Sequence, residues 1–155
     1  MIDFNVNVDG VDVLDRTLVR FTERADDLSE PLDEMGDVVA RLQAREFATE
    51  GRETRGGWAA LSPDYRQRKA RTHPGKPILE RDGDLKRSLT RRPFGVDEVS
   101  RHVAVFGTDI PYARYHMDST PFMPARPPLI GEVGKGPSRE FVKILQRWVV
   151  EGVAA

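Results

Sequence analysis

The spacing of apolar side chains changes several times along this chain, and those changes limit the folds open to it. Ile2, Phe4, Val6 and Val8 alternate with polar residues, the period of a half-buried strand. Gly10 breaks that alternation. Over residues 11–28, Val11, Leu14, Leu18, Phe21, Ala25 and Leu28 recur at spacings of three and four, which predicts an amphipathic helix with Asp9 and Asp12 near its positive end. Ser29, Glu30 and Pro31 read as a cap followed by proline at the first helical position. They open a second helix with Leu32, Met35, Val38, Val39, Leu42 and Phe47 on its stripe, ending near Gly51. A final helical pattern starts at Pro137 and carries Phe141, Ile144, Leu145, Trp148 and Val149.

Between the helical ends the pattern is shorter and more broken. Residues 51–61, GRETRGGWAAL, read as a loop with one anchor, Trp58. Ser62, Pro63 and Asp64 repeat the cap-plus-proline signature before a short basic helix through Arg66, Arg68, Lys69 and Arg71, which THPGKP stops. A further helical turn, DLKRSLT, has Asp84 as its expected N-cap. Residues 99–108 alternate and predict a strand, with residues 94–99 as its partner or the turn before it. Residues 111–117 suit a helical turn, and the four prolines in residues 118–129 require an extended run. Helices early and late, with strands at the front and between, make the chain α+β.

Composition narrows the setting. At 155 residues there is enough chain for a single domain: an N-terminal strand and helices over 1–50, a motif-rich region over 51–131, and a C-terminal helix over 137–151. With 39% apolar and 32% charged residues the core is thin, so part of the surface is expected to be covered by partners. Cysteine is absent, which rules out disulfides and thiolate metal sites. The start, MIDFNVNVDG, lacks the basic and long apolar regions of a signal peptide, and no run reaches the ~20 apolar residues of a membrane helix. A soluble protein made in the cytoplasm is expected, with no membrane partner.

The net charge of −1 conceals segregation. Residues 1–40 carry 3 basic and 11 acidic side chains, a net of −8. Residues 41–95 carry 14 and 7, a net of +7, and residues 96–155 balance at 7 each. Such polarity suits copies meeting head to tail, or a basic middle touching nucleic acid.

Candidate chemistry is sparse. His116, Asp118 and Ser119 are hydrolase residue types, but triad members converge from separate segments, and D-S-T-P is no nucleophile elbow. His73, His102 and His116 have no metal-ligand spacing. GEVGKGPS fails the phosphate-loop pattern because Pro137 follows Gly136. Glu80, Asp82 and Asp84 read as turn and cap residues. No catalytic, metal or cofactor-binding residue is therefore assigned, and an enzyme is not expected. The basic segment 66–92 offers Arg66, Arg68, Lys69, Arg71, Lys86 and Arg87 either to DNA or to salt bridges. Trp58 and Tyr65 are expected as core or interface anchors.

Several stretches carry a more specific signal. W-x-x-L-S-P-x-Y at 58–65 precedes P-I-L-E-R-x-G-D-L at 77–85, V-x-V-F-G-T at 103–108, P-Y-A-x-Y-H at 111–116 and M-P-A-R-P at 123–127. In that order they resemble the phage virion morphogenesis family, the tail-completion proteins of Mu-like and related tailed phages. The chain departs from that pattern at Met117, Ser119 and Pro128. The resemblance implies a small antiparallel sheet packed by helices. It also implies a non-enzymatic virion protein of the neck or tail top, without cofactors, working as a ring of its own copies, with six expected. Its neighbours would be neck, connector, tail-terminator or tail-tube proteins, with non-specific contact to passing DNA. Within these motifs Tyr112 and Tyr115 are expected to turn inward and His116 to hydrogen-bond locally. Prolines on either side of Arg126 are expected to hold its guanidinium on a stiff arm, for a carboxylate or a cluster of backbone carbonyls.

Overall fold

In a computed structural model, residues 10–130 and 134–153 are described, so the alternating stretch Ile2 to Val8 lies outside the described residues. The amphipathic patterns become α1 (Val11–Asp26), α2 (Ser29–Ala48) and, at the other end, α7 (Lys135–Glu151). Between them come α3 (Arg52–Arg55), α4 (Pro63–Thr72), α5 (Asp84–Thr90), strands β1 (Val96–Val99) and β2 (Ala104–Gly107), a 3₁₀ turn (Pro111–Ala113) and α6 (Arg114–Met117). The fold is a small α+β arrangement with a two-stranded antiparallel sheet.

α2 is the spine, because both faces of its apolar stripe find cover. Its first half puts Met35 and Val38 against Ile144 of α7, with Leu32, Leu42, Phe141 and Leu145 around them. Its last turn delivers Phe47 to a second cluster with Trp58, Leu85, Leu89 and Ala113. Ion pairs reinforce the first contact, Arg147 to Glu34 and Arg41 to Glu140. Ser29 is the first residue of α2 and not its cap; Leu28 holds that position without a side-chain bond, and Asp27 before it accepts from the Ser29 amide at 3.0 Å and its hydroxyl at 2.6 Å. Those bonds, with lesser help from Arg101 and His102, hold the Asp27 carboxyl below its ordinary value.

The partner expected over 94–99 is β1, and the strand expected over 99–108 is shorter, β2, with residues before Ala104 given to the turn. Val96 pairs with Gly107 and Val99 with Ala104, so residues 100–103 form the turn of a hairpin. No glycine, proline or asparagine marks this turn. It is held instead by Ser100, whose amide and hydroxyl both donate to the Val103 carbonyl, and from outside by the Leu28 amide on Arg101. Arg92 ties the hairpin to α2, pairing with Asp33 and with Asp97 at 3.2 Å and donating to the Asp33 carbonyl at 2.8 Å. These bonds raise its pKa despite partial burial.

Asp84 does not cap α5. Gly83, in the left-handed region at φ 91°, occupies that place, and Asp84 sits in the first turn beside Arg87. A carboxylate there still meets the positive end of the helix. By contrast Ser62 caps α4 as its sequence suggests, accepting from the Tyr65 amide.

Candidate functional site

Four of the five sequence motifs meet at one open groove of about 720 Å³. Leu61, Ser62 and Tyr65 come from the first motif, and Ile78, Leu79, Glu80, Arg81, Gly83 and Leu85 from the second. The 111–116 motif adds Tyr112 and His116; the last adds Met123, Pro124 and Arg126, and Lys69 lines the wall from α4. Residues more than 60 positions apart are brought together here, which no single segment could have announced.

The proline-rich strap, residues 118–130, lines the groove with Phe122, Met123, Pro124 and Arg126 and is stitched to three parts of the molecule. The Trp58 indole donates to the Pro127 carbonyl at 3.0 Å. The Ile130 amide donates to Gln43 of α2 at 3.3 Å, and the Arg126 amide to the His116 carbonyl at 2.8 Å. Prolines suit such a strap because they carry no amide needing a partner. Trp58 also stands edge-on to Phe47, ring centroids 5.3 Å apart. Gly51 makes room for this ring: a Cβ there would lie 2.6 Å from the indole, and its φ of 78° independently disfavours a side chain.

Arg126 is not held out on an arm. Only 5% exposed, it folds back onto backbone carbonyls, its Nε donating to Ala59 at 2.6 Å and a terminal nitrogen to Ala60 at 2.8 Å. Lys69, 7% exposed, donates in turn to the Pro77 carbonyl. Both buried cations thus rest on neutral acceptors. Burial lowers the pKa of each; Glu80 and Glu50 oppose this for Lys69, and the Arg126 charge adds to it. Glu80 is itself paired with Lys86.

Tyr112 and Tyr115 face outward, correcting the inward placement expected for them. They lie three apart on one side of the short helical turn, and the Ala113 side chain takes the buried position between them. Tyr115 instead meets Arg114, which donates to its hydroxyl at 2.7 Å. The His116 ring is edge-on to Tyr112 at 6.4 Å, and its buried Nδ1 has no hydrogen-bond partner among the described residues. The local side-chain bond expected of His116 is therefore not made at that nitrogen, and Asp118 does not orient it. Burial, followed by the Arg126 charge, lowers its pKa.

The six basic candidates separate. Lys86 pairs with Glu80 and Arg87 with Asp84, and Lys69 is internal. Arg66, Arg68 and Arg71 remain exposed on α4, Arg68 lying 5.0 Å from the Tyr65 ring centroid. Sequence reasoning missed two further features of the groove. Leu79 has a φ of 60°, the left-handed region where glycine ordinarily sits, and Phe122 at the tip of the strap is 98% exposed. A large apolar side chain in each place gives no local sign of either role. Among the described residues no cluster of His, Asp and Glu fits a metal ion, and no helix is long and apolar enough to cross a membrane.

Fold and groove together define a small α+β protein with an open, partly apolar groove and cations in its wall. The chain belongs to the phage virion morphogenesis family, which matches residues 9–149. No curated protein and no solved structure matches it significantly. Family membership gives the chain a structural role in phage virion morphogenesis.

Proposed function

We propose that the chain completes the tail and helps join it to the capsid, as a ring of its own copies at the head–tail junction. The observation that carries this reading is the pairing of two unlike open surfaces on one small molecule. One is the groove built by the motifs; the other is the face of α1, none of whose residues is buried. Unlike surfaces on one subunit produce head-to-tail contacts, and such contacts close into a ring when the rotation between neighbours closes. The thin core and the segregated charge support the same reading. Particles produced without this gene should accumulate as filled heads and separate tails in electron micrographs. A normal yield of joined, infectious virions would overturn the assignment.

A second reading rests on α4. Arg66, Arg68 and Arg71 are exposed without a carboxylate partner among the described residues, cations that a phosphate backbone would attract. A neck ring encloses the channel through which DNA passes, so this reading is compatible with the first. Fluorescence anisotropy with duplex DNA should show binding at low salt that weakens steeply as salt rises. An unchanged signal at low salt removes DNA contact from the account.

A further inference from the structure

α1 is strongly amphipathic, yet the first half of its apolar stripe has no cover among the described residues. Leu14 is 59% and Leu18 53% exposed, and Val11 and Val19 are similarly open. Only the second half is docked: Arg24 donates to the Val149 and Val150 carbonyls, and the Trp148 indole to the Arg24 carbonyl. Helical spacing puts Val11, Leu14, Asp15 and Leu18 on one side, at i, i+3, i+4 and i+7, with Arg16 and Arg20 turned away. The uncovered stripe is thus apolar with a carboxylate set into it.

The groove has the complementary character. Leu61, Leu79, Tyr65, Tyr112 and Met123 supply apolar walls. Its charged lining is Lys69, Arg81 and Arg126 against Glu80; Glu80 is already engaged by Lys86, and Arg81 by Asp82 at 2.7 Å. Two of those cations are buried on neutral carbonyls, so the groove carries positive charge that its own hydrogen bonds do not neutralise. No α1 residue of the same chain lines it.

We propose that the Val11–Leu14–Asp15–Leu18 stripe of one copy seats in the groove of the next. The Asp15 carboxylate then faces the positive field of Lys69 and Arg126, and Leu14 and Leu18 lie against Tyr65, Leu79 and Met123. The contact is a helix in a groove, with apolar anchors for affinity and charge for register. It joins two different surfaces, so each copy offers one of each to its neighbours. This inference rests on the ring proposed above and names the surfaces that would build it.

The chain contains no cysteine, which makes the test direct. Leu14→Cys and Met123→Cys are prepared as separate full-length proteins, mixed, and oxidised. A disulfide-linked dimer is expected in the mixture and in neither protein alone. In parallel, native mass measurement follows the wild type and Asp15→Lys, with association expected to weaken about tenfold or more in the variant. If the wild type assembles while the mixture gives no linked dimer and Asp15→Lys assembles normally, the α1–groove contact is wrong and the ring stands on other surfaces. Self-linking of Leu14→Cys alone would replace it with α1 packing on α1. A wild type that stays monomeric at every concentration would overturn both the contact and the ring.

Discussion

The two ends of α2 lie in different surroundings. At its C-terminal end Phe47 is sealed by Trp58, Leu85, Leu89 and Ala113, and the strap closes over that cluster by side chain-to-backbone hydrogen bonds. At its N-terminal end Met35 and Val38 meet α7, but among the described residues α1 is tied down at its C-terminal end, where Arg24 and the Trp148 indole meet and Arg101 lies 3.9 Å from Asp26. α1 and α2 carry similar apolar periodicity. α2 buries seven residues and α1 buries none. Amphipathicity states that a face should be covered; it does not state by which molecule.

The largest effect that would break this comparison is at Arg126. Replacing it with Ala takes the donors from the partly buried Ala59 and Ala60 carbonyls and removes a side chain that is itself only 5% exposed. A loss of about 3 kcal/mol is expected. Leu14→Ala, by contrast, removes a side chain with little to touch within its own subunit, and its cost should stay within about 0.5 kcal/mol. Urea unfolding of dilute protein, where neighbours do not contribute, measures both. Equal losses at the two positions would mean that α1 is as well packed as the strap, and the contrast between the ends would disappear.

The sequence showed much of the fold and less of the groove. Helical periodicity located α1, α2 and α7, and the Ser62–Pro63 signature located the start of α4, because each of these rests on local rules. The start of β2 was placed at Val99 and not at Ala104 because the turn between, Ser100 to Val103, is held partly from outside, by the Leu28 amide on Arg101. Asp84 was misplaced by one position because Gly83, with its left-handed backbone, was free to take the cap. In the groove, the motif residues were recognisable but their orientations were not. The orientation of Arg126 depends on carbonyls 66 and 67 positions away, and a left-handed Leu79 contradicts the preference of its own residue type. Such features are set by tertiary contacts, to which a pattern in one segment is blind.

A smaller effect sharpens the comparison within the groove itself. The pKa of His116 is lowered, first by burial and then by Arg126, so the folded state holds its proton less tightly than the unfolded chain does. Above the ordinary value of 6.5 both states are neutral at this position and it adds no pH dependence. As pH falls through that value the unfolded chain takes up the proton first, so stability declines. The decline ends once pH passes below the lowered folded-state value, where both states are charged. Gln at position 116 cannot titrate. The difference in unfolding free energy between wild type and His116→Gln, followed from neutral pH downward, should therefore shift in favour of the variant below about pH 6.5. A difference that stays constant across that range would show that the imidazole is as well solvated when folded as when unfolded, and that the groove wall around it is open to water. The α1 stripe offers the matching control: it carries no histidine, and Leu14→Ala should leave the pH profile of the wild type unaltered.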